Sequence, residues 1–413
     1  MDTFIVSARK YRPSSFRSVV GQQHITDTLK NAILNNQLAQ AFLFCGPRGV
    51  GKTTCARILA ETINCTNLTP EGEACHECAS CKSFDSGTSM NIFELDAASN
   101  NGVDDIRKLV DEMRVPPASG KYKVYIIDEV HMLSLQAFNA LLKTLEEPPS
   151  FVKFILATTE RHKVIPTILS RCQVFDFRRI ELRDIAEHLA YVAKSENIQA
   201  EPEALEVIAQ HADGGLRDAL STFDQMANFT GGNITYDKIL KALNLLDSEY
   251  YFRIVDNIRN ANLAQTLLCF EEVMRNGFDG QNFITGLTKH IRNLLVSLDT
   301  ATLQLLEVGE ARRKRYSEQA ASCGMQLLIR YLTIASDYEY RYRDASNKRL
   351  FVEVALTKLA AQTMQPAAQQ PAAATAPQAA APQAKQQAAP PAPTGNASAP
   401  GQQPPAAQSH RLS

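Results

Sequence analysis

The sequence predicts an α/β domain built on a parallel sheet, followed by two all-helical blocks. Three observations carry that expectation. Short apolar runs at residues 42–45, 92–95, 124–127, 152–157 and 172–177 alternate with helical periodicity, as in parallel strands covered on both faces. The phosphate-loop pattern Gly46-Pro47-Arg48-Gly49-Val50-Gly51-Lys52-Thr53 stands between the first of these runs and a helix-like stretch that opens at Thr54. After about residue 180 the strand signals stop and helical patterning continues to about residue 362.

The first run delivers a nucleotide site. Gly46, Gly49 and Gly51 let successive backbone N–H groups, Val50 among them, turn inward around a triphosphate. Lys52 reaches the β- and γ-phosphates, and the Thr53 hydroxyl holds Mg²⁺. The helix that follows adds its own positive field. The third run ends in acid, Ile127-Asp128-Glu129. Asp128 suits the Mg²⁺ shell, and Glu129 suits orienting or deprotonating the water that attacks the γ-phosphate. Taken alone, the two acids read equally as solvated caps on a buried strand. Ligands of such sheets bind at the carboxyl ends of the strands, where the loop and the acids converge.

Between the first two runs lie Cys65, Cys75, Cys78 and Cys81. Overlapping C-x-x-C steps bring three sulfurs to one tetrahedral ion, and Cys65 closes the fourth corner. Four thiolates leave no open position, so the expected ion is a structural Zn²⁺. The alternative is a set of ordinary loop cysteines. Cys45, Cys55, Cys172, Cys269 and Cys323 are scattered and read as small buried hydrophobes.

Forty-three basic and forty-four acidic residues give the 413-residue chain a formal charge of −1, so any nucleic-acid contact must come from a local patch. The longest basic run, Arg312 to Arg315, reads as a solvated helix face. No signal pattern opens the chain and no apolar stretch approaches the roughly 20 residues that span a bilayer, so a cytoplasmic protein without membrane contact is expected.

Residues 181–246 read as short helices broken at Asn197, Pro202 and Asp213-Gly214-Gly215, and residues 247–362 as longer helices with a turn at Asn276-Gly277. From residue 363 to 410 the composition collapses almost entirely to Ala, Pro, Gln, Ser, Thr and Gly, with Lys385 the only formal charge. That segment cannot bury enough apolar surface to offset its ordering entropy and reads as a linker. A linker that leads nowhere implies a cut chain or a longer form.

Taken together, these motifs resemble the gamma/tau family of bacterial DNA polymerase III, the AAA+ ATPases of the sliding-clamp loader. The resemblance rests on Arg9-Lys10-Tyr11-Arg12-Pro13 with Val20-Gly21-Gln22, the phosphate loop and the four cysteines. It continues in Glu94-Leu95-Asp96-Ala97-Ala98-Ser99, Asp128-Glu129-Val130-His131, Leu142-Lys143-Thr144-Leu145-Glu146-Glu147-Pro148-Pro149, Ala157-Thr158-Thr159-Glu160, Ser170-Arg171-Cys172 and Gly215-Leu216-Arg217-Asp218.

What the resemblance implies is an AAA+ P-loop domain with a parallel sheet over residues 1–180, carrying a zinc-binding insertion at 65–81. A helical lid follows at 181–246, then a helical collar at 247–362 and a disordered linker at 363–413. The implied activity is ATP hydrolysis that loads a sliding clamp onto primed-template DNA. The implied partners are copies of this chain and other clamp-loader subunits in a hetero-pentamer, the clamp, and the polymerase core and helicase through a longer C-terminal form. Such a subunit works inside a nucleotidyltransferase, yet no separate pair of metal-binding acids marks a polymerase site here. By the same resemblance Thr158 senses the γ-phosphate and Arg217 couples the lid to nucleotide. Arg171 acts as an arginine finger on the neighbouring subunit's ATP, and Arg12, Pro13 and Val20 lie against the adenosine. Competing assignments pair Arg217 with Asp218 or Asp213 and leave His131 a satisfied surface histidine. Arg107, Lys108 and Lys143 are candidates for DNA phosphates, with plain surface charge as the competing assignment. An AAA+ motor for branched DNA and a non-hydrolysing nucleotide scaffold are the rival functions.

Overall fold

The strand segments of the first block are rich in β-branched and aromatic residues, which fit a pleated surface packed on both sides. In the computed structural model, which describes residues 5–117, 120–306 and 308–364, five of them pair into one sheet. They are β1 (Ala41–Cys45), β2 (Ile92–Asp96), β3 (Lys123–Asp128), β4 (Val152–Thr158) and β5 (Gln173–Asp176). Their order is β2-β3-β4-β1-β5 and each pairing is parallel. The register sets Cys45 opposite both Thr158 and Asp176, and Asp96 opposite Asp128, so the carboxyl ends of the strands share one edge.

Side chains alternate faces along each strand. Phe42, Phe44, Val124, Ile126, Ile155 and Ala157 pack beneath α2 (Gln23–Leu34) and α3 (Lys52–Asn64). Leu43, Tyr125, Ile127, Phe154 and Leu156 face α5 (Val103–Met113), α6 (Leu135–Glu146) and α7 (Pro166–Leu169). Each such large side chain stabilises the fold by about 1.5–3 kcal/mol. The short α4 (Ala79–Asp85) belongs to the cysteine insertion.

The lid comprises α8 (Leu182–Ser195), α9 (Pro202–His211), α10 (Leu216–Thr230) and α11 (Tyr236–Ala242) around Ile185, Leu189, Ile208 and Phe223. It is not purely helical. Two residues of β6 (Gln199–Ala200) pair in parallel with β7 (Asn233–Ile234), strands too short to leave a periodic signal in the sequence. Its predicted breaks are sharp, with Asn197 and Asp213 at φ 55° and 48° and Gly214 at 84°.

The first helix, α1 (Ser7–Lys10), belongs with the lid rather than with the sheet domain that contains it in sequence. The Ser7 backbone N–H and hydroxyl donate to Asp224 at 2.7 and 2.5 Å, Lys10 Nζ and the Tyr11 hydroxyl donate to Glu196, and Ala8, Tyr11 and Val20 pack on the lid core.

The collar consists of α12 (Ser248–Arg259), α13 (Leu263–Arg275), α14 (Gly280–Val296), α15 (Glu310–Cys323), α16 (Met325–Arg341) and α17 (Lys348–Met364). Asp247, Asn262 and Asp279 cap the first three through side-chain oxygens, each worth about 1 kcal/mol. Val352, Leu356 and Leu359 of α17 are fully buried. That helix runs two residues past the expected start of the linker, because Thr363 Oγ1 hydrogen-bonds Tyr331 at 2.5 Å and donates to the Ile258 carbonyl at 3.1 Å. The rest of the predicted linker lies outside the described residues. The basic run is not a plain solvated face either. Arg312 covers the Tyr236 ring of the lid at 4.7 Å, Arg313 donates to the Val308 carbonyl, and Arg315 covers Phe252 at 4.3 Å while pairing with Glu249. Among the described residues no helix is long and apolar enough to cross a membrane.

Candidate nucleotide and metal sites

The buried strand β1 hands the chain directly to the loop, and the loop's glycines hold conformations that side chains disfavour. Gly46, Gly49 and Gly51 have φ of 147°, 78° and 102°. A Cβ on Gly46 would fall 2.5 Å from the Phe177 carbonyl oxygen, and one on Gly49 would fall 3.2 Å from the Gly215 Cα. Gly51 meets nothing within 4 Å, so there the constraint is backbone sign alone. Val50 is buried, anchoring the loop to the core, and Thr54 sits half-buried in the first turn of α3.

Lys52 is 6% exposed and donates from Nζ to the carbonyls of Gly46 and Pro47 at 2.8 and 2.7 Å. Burial lowers its pKa, opposed by the nearby Glu129 and Asp128 carboxylates. The Thr53 hydroxyl donates to Asp128 Oδ2 at 2.6 Å, joining two oxygen donors of the type Mg²⁺ takes. Asp128 Oδ1 also accepts from the Glu129 N–H at 2.9 Å.

Glu129 occupies the left-handed region at φ 48°, a conformation costing on the order of 1 kcal/mol or more in a non-glycine residue. Its Oε2 accepts from the Thr159 N–H at 3.2 Å and hydroxyl at 3.0 Å. His131 Nδ1 stands 3.3 Å from that oxygen and 3.1 Å from Thr158 Oγ1, and its Nε2 lies 3.4 Å from Glu160. Thr158, fully buried at the end of β4, is therefore tied to the acid pair through His131. His131 is no surface residue, since its side chain is 8% exposed. Neither His131 nor Thr159 was found as a site residue from sequence. The available signal was position, one following the acid pair and one following the β4 strand end.

The lid meets the loop directly. The Arg217 N–H, in the first turn of α10, donates to the Gly49 carbonyl at 3.3 Å. Arg217 is exposed, and among the described residues no ion pair holds its side chain; Asp213 pairs with Arg179 instead. Arg12 is exposed, yet its pKa is lowered, first by desolvation of its head and then by the neighbouring Arg57 and Arg217, against the pull of Glu94 and Asp128. The charges that act on Arg12 therefore include Arg217 of the lid as well as Asp128 of the acid pair. Pro13 and Val20 are half-buried on the strap formed by residues 12–20, Val20 against the lid core. Arg171 is elsewhere: its Nη2 donates to Glu146 at 2.7 Å and its Nη1 to the Thr167 carbonyl at 2.8 Å. Among the described residues it makes no hydrogen bond to the loop or to the acids.

The sulfurs of Cys65, Cys75, Cys78 and Cys81 all lie within 4.8 Å of one another. A tetrahedral site with metal–sulfur bonds of about 2.3 Å sets its sulfurs about 3.8 Å apart, so this set fits such an ion. Backbone N–H groups of Cys75, Cys78 and Cys81 point at the sulfurs of Cys65, Cys75 and Cys78 at 3.3–3.5 Å. Burial raises the Cys65 and Cys81 thiols, whereas donors from Thr66 and Cys81 outweigh burial at Cys78 and bring it to about 5. Beside this cluster, His76 Nδ1 contacts the buried Glu61 at 3.0 Å and Asp85 at 3.6 Å.

Three family models match the chain. They are described as "DNA polymerase III, delta subunit" over residues 21–181, "DNA polymerase III clamp loader subunit, ATPase lid domain" over 184–232, and "DNA polymerase III subunits gamma and tau domain III" over 234–373. The chain is 36% identical to the DNA polymerase III subunit gamma of Buchnera aphidicola subsp. Baizongia pistaciae, over 76% of this chain and 85% of that one. It is 41% identical to the subunit tau of Bacillus subtilis, over 88% of this chain and 64% of that one. To the subunit tau of Escherichia coli it is 37% identical, over 86% and 55%. The chain therefore spans less than two thirds of these tau relatives.

Proposed function

The chain belongs to the DNA polymerase III gamma/tau family, and from that premise we propose that it is a cytoplasmic ATPase subunit that loads a sliding clamp onto primed-template DNA. The observation that carries this reading is the Thr53–Asp128 hydrogen bond at 2.6 Å, which joins the phosphate loop to the acid pair. The Arg217–Gly49 contact, which sets the lid on the same loop, supports it.

In this reading Lys52 exchanges the Gly46 and Pro47 carbonyls for phosphate oxygens, and the glycine-turned N–H groups take the rest. Thr53 and Asp128 would hold Mg²⁺, which when bound would supply positive charge beside the phosphate oxygens. Glu129 orients water or accepts its proton, and Thr158, linked to Glu129 through His131, reports the γ-phosphate. Arg12, Pro13 and Val20 border the adenosine between lid and sheet domain. Arg171, which among the described residues makes no hydrogen bond to its own phosphate loop or acids, serves the neighbouring subunit in a hetero-pentamer of like chains and other clamp-loader subunits. Its guanidinium stabilises charge there and makes turnover depend on assembly. DNA contacts fall mainly on phosphates, because loading must tolerate any sequence. The four thiolates hold a structural Zn²⁺, and a longer C-terminal form reaches the polymerase core and helicase.

The test is ATP hydrolysis by the assembled complex with and without clamp and primed DNA, for the native chain, Lys52→Ala and Arg171→Ala. Stimulation by clamp and DNA that both substitutions abolish is expected. Turnover indifferent to clamp and DNA would remove the loading role.

A further inference from the structure

The cysteine insertion grips both halves of the nucleotide site. Its first ligand, Cys65, is the C-cap of α3, the helix whose N-terminus carries Lys52 and Thr53. Thirteen residues at about 1.5 Å rise set the two ends about 20 Å apart on one rigid element. Two further contacts fasten α3 to the insertion. His76 meets Glu61 at 3.0 Å, and the Arg57 guanidinium covers the Phe84 ring at 4.9 Å.

The second grip is Glu73, 8% exposed and two residues before Cys75. Its Oε2 accepts the Phe16 N–H at 2.9 Å, and its Oε1 accepts the Arg17 N–H at 3.2 Å and meets Lys30 of α2 at 3.0 Å. Phe16 and Arg17 open a single 3₁₀ turn between Arg12-Pro13 and Val20, the strap assigned above to the adenosine. A tight turn presents the carboxylate. The Thr69 hydroxyl accepts the Glu73 N–H at 3.1 Å, the Glu73 carbonyl accepts the Thr69 N–H at 3.0 Å, and Gly72 at φ 75° nests against Leu34 of α2. That turn lies in the loop between Cys65 and Cys75, so an ion joining those sulfurs closes the loop that holds Glu73.

We propose that Glu73 is a positioning residue for the nucleotide, through which occupancy of the four-cysteine site and ATP binding favour one another. The metal orders the 65–75 loop, the loop aims Glu73, and Glu73 fixes the 16–18 turn and with it the adenosine strap in register with α3. Coupling of this kind is reciprocal: whatever factor the metal contributes to nucleotide affinity, nucleotide returns to metal affinity. The proposal rests on the ATP site assigned above.

The experiment measures binding of a fluorescent ATP analogue and, separately, the equilibrium partition of Zn²⁺ between the protein and a chromogenic chelator with and without ATPγS. The proteins are the native chain, Glu73→Gln and Lys52→Ala. Glu73→Gln retains size but loses the charged acceptor of two backbone donors, so affinity is expected to fall about tenfold while zinc content and far-UV circular dichroism stay native. ATPγS is expected to raise the zinc affinity of the native chain and to leave that of Glu73→Gln and Lys52→Ala unchanged. Native-like nucleotide affinity in folded, zinc-loaded Glu73→Gln overturns the coupling alone. A native chain that binds no ATP overturns the ATP site and the coupling with it. If Glu73→Gln does not fold, the native chain decides, since an equilibrium zinc affinity indifferent to saturating ATPγS is incompatible with reciprocity.

Discussion

The Arg217 N–H donates to the Gly49 carbonyl at 3.3 Å, so the lid's α10 is hydrogen-bonded to the phosphate loop through backbone while the Arg217 side chain stays exposed. Main-chain and side-chain roles at this junction are therefore separable. Arg217→Ala leaves the bond in place and is expected to change stability by less than about 0.5 kcal/mol, as exposed substitutions usually do, while weakening ATP binding. Gly49→Ala strains a φ of 78° and presses a Cβ to 3.2 Å from Gly215, so it should displace the lid and lose both nucleotide affinity and thermal stability. Thermal melts beside nucleotide titrations check the pair; equal melting losses in both variants would contradict the separation.

Arg171 is predicted to be dispensable for folding and essential for assembled turnover. Its pair with Glu146 at 2.7 Å is partly exposed, and such pairs contribute about 0–1 kcal/mol. Arg171→Ala should therefore melt near the native temperature, yet lower ATP hydrolysis of the complex about 10³-fold, the scale of a lost arginine finger. Mixing Arg171→Ala with Lys52→Ala subunits checks the direction of action. If the arginine works across an interface, some mixed interfaces combine an intact loop with an intact arginine and recover activity.

In the collar, Gly286 on α14 faces Tyr251, and an added Cβ would overlap the tyrosine hydroxyl. Alanine favours a helix interior by about 1 kcal/mol over glycine, whereas overpacking a filled core costs about 1–3 kcal/mol. Gly286→Ala is expected to lower the melting temperature, and Tyr251→Phe in the same chain to recover part of the loss by removing the obstructing oxygen. Strict additivity of the two substitutions would show that the contact does not limit packing.

The sheet and phosphate loop were legible because their signals are local. Strand, loop, helix and acid occur in one order, and the loop and the acids come together where Thr53 donates to Asp128 at 2.6 Å. The four cysteines were legible for the same reason, their spacing being the geometry. What sequence could not give were partners distant along the chain. Ser7 reaching Asp224, Arg312 covering Tyr236 and Glu73 accepting from Phe16 join segments whose separation carries no period. His131 was read from its type, which is neutral between surface and site; only the fold sets it against Glu129, Thr158 and Glu160. The β6–β7 ladder escaped because two residues per strand contain no alternation to detect.

The collar also carries a pH dependence. His290 is 2% exposed, with Nδ1 3.1 Å from the Tyr316 hydroxyl and Nε2 3.0 Å from Gln319 Oε1, and it packs against the Tyr251 and Phe252 rings. Burial lowers its pKa to about 4, with nearby Arg315 acting in the same direction and the Gln319 hydrogen bond opposing both. The unfolded chain, with a histidine pKa near 6.5, binds more protons than the folded one between those values. His290 therefore costs nothing well above pH 6.5, and stability falls as pH drops from about 6.5 to about 4. The full loss is on the order of 3 kcal/mol. Denaturant unfolding at pH 7.5 and pH 5 is expected to show lower stability at pH 5. In His290→Gln, which keeps polar atoms but cannot charge, the difference should shrink by up to about 2 kcal/mol, the share of that loss accrued by pH 5. An undiminished difference in that variant would place the pH sensitivity on other groups.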